Sequence, residues 1–176
     1  MLAMMQDLVF LGLLKEGPKH GYEIKKVLKE VLSTFTDIDS TSIYYPLRRL
    51  EKKGLVSKRL GRKGKRPEKF VYKITRAGGR VFEKLLNDNF LTFKRPIFNI
   101  DLSLYFLPLI KVGIAENRLQ RRLRGMSRIL RWLKERKAAL LKKKAAYHLV
   151  AIIEHQIELT KTDIKFTRTL IKNLNP

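Results

Sequence analysis

Thr41-Ser42-Ile43-Tyr44-Tyr45-Pro46-Leu47-Arg48-Arg49-Leu50-Glu51-Lys52-Lys53-Gly54 is the stretch that decides the fold. Ile43, Leu47 and Leu50 recur at the i, i+4, i+7 spacing of one helix face. The opposite face carries Thr41, Tyr45, Arg48, Arg49 and Lys52, with Tyr44 at its edge. Such a helix buries one side and offers hydroxyls and guanidiniums on the other. Gly54 is the expected stop, because glycine accepts the left-handed conformation that ends a helix. Lys52 and Lys53 suit the negative end of the helix dipole. Pro46 is tolerated only near a first turn, which places the helix start close to Ser40–Ser42.

The residues after Gly54 give this helix its meaning. Leu55–Leu60 and Phe70–Ile74 read as two short strands. Between them, Gly61-Arg62-Lys63-Gly64-Lys65-Arg66-Pro67 is a turn with four cations in seven residues, and Lys69 comes soon after. A helix with a basic face succeeded by a hairpin with a basic tip describes a winged helix-turn-helix. The helix would enter a major groove and the two-stranded wing would lie along phosphates.

The residues upstream fit that order. Ala3–Lys15 reads as a buried helix, ended by Gly17-Pro18. His20-Gly21-Tyr22-Glu23-Ile24 opens a second helix to about Ser33, with Ile24, Val27, Leu28 and Val31 facing inward. Thr36–Ser40 is the polar turn before the key helix. Downstream, Thr75 is positioned to cap a fourth helix from Arg76 to about Phe93. Gly78-Gly79 weakens its first turn, and a close approach to the wing or to a DNA backbone would account for both glycines. Lys94-Arg95-Pro96 is a break, so residues 1–93 form the expected DNA-binding domain and 97–176 a second region.

The second region is expected to be helical throughout. Phe98–Ile110 reads as a short, very apolar helix ending near Pro108. Leu119, Leu123, Met126, Leu130, Leu133 and Leu140 then fall on alternating steps of four and three, with Lys137 as the exception. Val150, Ile153, Ile157, Thr160, Ile164, Thr167, Ile171 and Leu174 do the same. These are heptad seams. Their phases differ by one residue, which suggests two helices joined near Leu141–Tyr147, with one stuttered helix as the alternative. Two such seams are expected to leave apolar surface for a second chain, so this region is read as a coiled-coil-like dimerisation arm of a mainly α protein.

Charge narrows the partners. The chain holds 39 Lys and Arg against 16 Asp and Glu, a formal net charge of +23. That balance points to a polyanion. From Arg118 to Lys144, twelve Lys or Arg stand against the single acid Glu135. A solvated outer face is the commoner meaning of such a run; a second DNA surface or an acidic partner site is the sharper one. Lipid binding ranks last, because helix pairing competes for the apolar face. The absence of cysteine excludes disulfides and thiolate metal sites. No bilayer span or signal peptide stands out, and a cytoplasmic protein is expected. His148 and His155 are seven apart, a poor spacing for metal on one helix. With no nucleophile–base set, phosphate-cradling loop or carboxylate pair, neither an enzyme nor a cofactor is expected. Trp132, beside Leu133, reads as a packing residue, with the wall of a ligand site as the alternative.

The chain resembles the PadR family of winged helix-turn-helix transcriptional regulators. The resemblance rests on His20-Gly21-Tyr22-Glu23-Ile24, on Ile43 to Leu55, and on Val71-Tyr72-Lys73-Ile74-Thr75-Arg76-Ala77-Gly78, in that order and spacing. It covers roughly residues 5–90; beyond them only the layout is similar. It implies a homodimeric regulator, often a repressor, dimerised through its C-terminal helices and in some members responsive to planar apolar ligands. It also implies that Tyr45 donates to a phosphate, while Arg48 and Arg49 stand at variable, often basic positions. The basic second half and the cationic wing depart from the family. They keep open an alternative, an architectural protein coating duplex DNA with little sequence preference.

Overall fold

A computed structural model describes residues 2–32, 36, 38, 43–61, 69–93 and 96–174, with Leu2 and Lys69 described in their backbone only. The chain divides into two compact units, residues 1–95 and 96–176. The first contains α1 (Leu2–Lys15), β1 (Lys19–His20), α2 (Gly21–Glu30), α3 (Tyr44–Lys52), β2 (Val56–Gly61), β3 (Lys69–Ile74) and α4 (Arg76–Leu91). The second contains α5 (Asn99–Tyr105), a 3₁₀ turn (Leu107–Leu109), α6 (Val112–Lys142) and α7 (Tyr147–Leu174).

The mainly helical winged fold is borne out. Phe10, Leu11 and Leu14 of α1, Ile24 and Leu28 of α2, and Leu47 and Leu50 of α3 are almost completely buried in one core with Val56 and Tyr72 of the sheet. Several boundaries differ from expectation: the stretch Phe98–Ile110 divides into α5 and a 3₁₀ turn, and two shifts fall in α2 and α3. Helix α3 begins at Tyr44, not at Ser40–Ser42, so Pro46 is its third residue, where a missing N–H removes no intrahelical bond. Helix α2 ends at Glu30, which drops Val31 from the inner stripe and leaves it 41% exposed.

The end of α3 is a Schellman motif. Gly54 sits at φ +68°, its N–H donates to Glu51 O, and the Leu55 N–H reaches back to Leu50 O at 2.9 Å. The turn then locks onto α4. Thr75 Oγ1 donates to Gly54 O at 2.8 Å and accepts from the Gly78 N–H at 3.0 Å, capping α4. A Cβ on Gly78 would overlap the Leu55 carbonyl oxygen, so the close approach at this glycine is to the base of the wing.

Strands β2 and β3 pair antiparallel from Val56↔Ile74 to Gly61↔Lys69. The sheet has a third strand beyond the expected two: β1 pairs with β3 through Lys19↔Tyr72 and His20↔Val71. Two residues are too short to show a period of two, which is why the sequence did not disclose them.

In the second unit α6 and α7 are separate helices, and Lys144 at φ +51° lies in the turn between them, which settles the phase slip. They pair as a hairpin held at its edges by Arg122–Asp163 at 2.7 Å and Lys137–Glu154 at 2.8 Å. The heptad seams meet within the chain, contrary to the expectation that they could not both be hidden. Leu119, Met126, Leu133, Val150, Ile153, Ile157 and Ile164 are all buried without a second chain, and Leu123, Leu130, Ile171 and Leu174 are half-buried. Each seam is the other's partner. The exposed apolar side chains lie elsewhere: α5 buries no residue, and Ile129, Trp132, Leu159 and Phe166 stand on the outside of the hairpin.

Candidate nucleic-acid interface

Burying Leu47 and Leu50 turns the opposite side of α3 to solvent. Tyr44 is 61% and Tyr45 69% exposed, and Arg48 and Lys52 are exposed beside them. The four share one side of the helix, because 44, 48 and 52 step by four and Tyr45 lies beside them. The helix carries Arg49 and Lys52 in its last turn, where cations oppose the partial negative charge of the carbonyls.

Arg49 does not join this face. Its Nη2 pairs with Asp7 Oδ1 and donates to the Ala3 carbonyl at 3.2 Å, tying α3 to α1. Its side chain is only 21% exposed, and Asp7, itself 12% exposed, also pairs with Lys53 at 3.5 Å. The guanidinium lies 5.9 Å from the Tyr45 ring centroid, so the pair also backs Tyr45. Arg48 and Arg49 were equal candidates in the sequence; one residue of helix rotation, about 100°, separates a solvent-facing arginine from a structural one. Asp7 is the residue that sequence reasoning missed. The available signal was a lone acid in a helix otherwise apolar on most sides.

Beneath the helix, Tyr72 of β3 is 5% exposed. Burial pushes its phenol above the ordinary value of 10, the neighbouring Tyr44 and Glu51 add to the rise, and Arg48 opposes it. The wing strands add cations outside the expected loop. Arg59 and Lys73 are exposed, and the Lys58 ammonium sits 3.6 Å from the Phe70 ring centroid. Thr41, Ser42, Arg62, Lys63, Lys65 and Arg66 lie outside the described residues, as does the side chain of Lys69. Trp132 is 48% exposed rather than packed inside the hairpin, whereas its neighbour Leu133 is buried.

Residues 10–84, which span this helix and wing, match the Transcriptional regulator PadR-like family. The match takes in the winged helix and stops before the C-terminal helices. A curated relative, the negative transcriptional regulator PadR of Bacillus subtilis, is 35% identical over 68 residues, 39% of this chain and 37% of that protein's length. The structure of Bacillus subtilis PadR in complex with operator DNA superposes with a TM-score of 0.78 at 21% identity, covering 96% of this chain and 98% of that one. The same protein in complex with p-coumaric acid gives 0.72 at 19% identity, with 98% and 97% coverage. The Vibrio cholerae virulence activator AphA gives 0.79 at 16% identity, with 97% and 98% coverage. These likenesses extend the shared fold through the C-terminal helices, beyond the residues that carry the sequence match.

Proposed function

We propose that this protein is a homodimeric, sequence-specific DNA-binding transcriptional regulator, most simply a repressor. The observation that carries the reading is the outward face of α3, with Tyr44, Tyr45, Arg48 and Lys52 exposed on a winged helix of the PadR type. Arg48 is the base reader, since a guanidinium can donate two parallel bonds to guanine O6 and N7. Tyr45 donates to a phosphate. Thr41 and Ser42 touch a base or a phosphate, and Arg62, Lys63, Lys65, Arg66 and Lys69 hold the wing on the backbone. The two α3 helices of the dimer enter successive major grooves, about 34 Å apart.

The dimer surface in this reading is the flank of the hairpin marked by the Arg122–Asp163 bridge. Ile129 lies two turns after Arg122, and Leu159 and Phe166 lie four before and three after Asp163, so all three share that flank. Trp132 is next to it, three residues from Ile129. The apolar residues of α5 enlarge the surface left for a partner chain. An effector, if small, planar and apolar, stacks on Trp132 there; the p-coumaric acid complex of the Bacillus relative supports the planar shape, although that ligand also carries a carboxylate. Binding at the dimer surface changes the separation of the two α3 helices and lowers operator affinity.

The test is fluorescence anisotropy across a salt series with two duplexes, the region upstream of the protein's own gene and a scramble of equal composition. A preference of about a thousandfold at physiological salt supports the regulator. Equal affinities with spreading footprints support a DNA-coating protein instead. Sedimentation of Ile129→Asp against the wild type tests the dimer: a concentration-independent monomer is expected of the variant, and an unchanged dimer assigns the interface elsewhere.

A further inference from the structure

The outer side of α6 carries a ridge that the winged helix does not explain. Arg121, Arg124, Arg128 and Arg131 are spaced three, four and three apart, and all are exposed. That spacing keeps them on one line of the helix, opposite the buried line of Leu119, Met126 and Leu133. None of the four makes an ion pair among the described residues, whereas Arg122 and Lys137, at the edges of the hairpin, both do. Glu135 is the acid on the line, one turn beyond Arg131.

We infer that this ridge is a second nucleic-acid surface that grips the phosphate backbone of duplex DNA, independently of the winged helix. Ten residues separate Arg121 from Arg131, about 15 Å at 1.5 Å per residue. One strand of duplex presents a phosphate about every 3.4 Å along its axis, so the ridge spans about four phosphates with four guanidiniums. Arginine suits this task because its planar fork donates two bonds to one phosphate. A protein partner would need apolar or aromatic anchors at the centre of the interface, and the ridge line has none; Gln120 and Ser127 flank it on one side, and the exposed Ile129 and Trp132 on the other belong to the flank assigned above to a second copy. A lipid surface would need the apolar face of α6, which α7 occupies. Phosphates need neither.

The experiment measures the salt dependence of full-length protein binding to a random-sequence duplex several helical turns long. Three proteins are compared: the wild type, R121Q/R124Q/R128Q/R131Q, and the charge-matched K161Q/K165Q/R168Q/K172Q on α7. Glutamine keeps the helix, because its propensity is close to that of arginine and all the positions are exposed. Unchanged circular dichroism checks this. The ridge variant is expected to lower the slope of log K against log salt by about 3–4 per protomer, at roughly 0.9 for each phosphate no longer neutralised, with the α7 variant close to wild type. An unchanged slope overturns the inference, and so does an equal fall in both variants, which would report net charge alone. Binding to phosphatidylserine vesicles that is lost only in the ridge variant, with the DNA slope unchanged, would reassign the ridge to lipid and overturn it too. A reduced slope in a protein without operator preference would leave the ridge standing and refute the regulator.

Discussion

The Asp7–Arg49 pair is the sharpest test of how α3 is held. Arg49→Ala removes the nearer of two cations from a carboxylate that is 12% exposed, leaving it only Lys53 at 3.5 Å; Asp7→Ala leaves the guanidinium beside Lys53 with no anion. Removing one partner of a fully buried pair costs about 3–5 kcal/mol. Both side chains keep some exposure to solvent, and about 2–3 kcal/mol is the expected cost here. For a domain of this size, that lowers the melting temperature by on the order of 10–20 °C. The assay is a double-mutant cycle by chemical denaturation, reading each variant and D7A/R49A by circular dichroism. Direct pairing predicts a coupling of about 1–2 kcal/mol, so the double variant loses clearly less than the sum of the singles. Operator discrimination at single base positions should be unchanged in the folded fraction. The reasoning is refuted if R49A melts like the wild type and instead loses about 1–3 kcal/mol at one base position, the signature of a base reader.

The packing sets three further expectations. Gly78→Ala drives a Cβ into the Leu55 carbonyl oxygen and should cost about 3 kcal/mol, at the upper end for overpacking, seen as a lower denaturation midpoint; an unchanged midpoint would mean that the wing base yields easily. Leu133→Ala empties a site 3% exposed within the hairpin and should cost about 2–5 kcal/mol at any protein concentration, because the seam is internal. A loss that vanishes on concentrating the protein would return the seam to a dimer interface. Tyr72 has a folded pKa raised above 10, so folding holds its proton; the associated stability is full below pH 10 and is lost as pH rises through the folded value. Tyr72→Phe should therefore flatten the decline in stability above pH 10, and an unaltered profile would refute this.

The winged domain was legible because its signals are local and mutually consistent. Ile43, Leu47 and Leu50 fix the inner face of α3, Gly54 fixes its end, and Thr75 caps the next helix. The third strand was not legible, since two residues carry no period. The DNA face was legible as a face but not residue by residue. Arg48 and Arg49 have the same chemistry and adjacent positions, and the choice between them is made by Asp7, more than forty residues away. Its approach to Arg49 depends on how α1 crosses α3, which no local pattern encodes.

The C-terminal seams hold the complementary lesson. A heptad pattern says that a helix has an apolar line; it does not say whose helix covers it. Here the deciding feature is the turn around Lys144, which folds α7 back on α6 so that Leu133 meets Ile153 and Ile157 of the same chain. Once the seams are used internally, the apolar side chains that remain exposed include ones outside the heptad register, Ile129, Trp132, Leu159 and Phe166. They are the residues a periodicity argument discards, and for that reason they are where a partner must be sought. The same logic applies to charge. Arg122 and Lys137, close to the seam, are committed to intrachain pairs, and the four arginines opposite it are not. On the readings proposed above, a helix of 31 residues divides by face into a line for its own chain, a flank for a second copy and a ridge for phosphate.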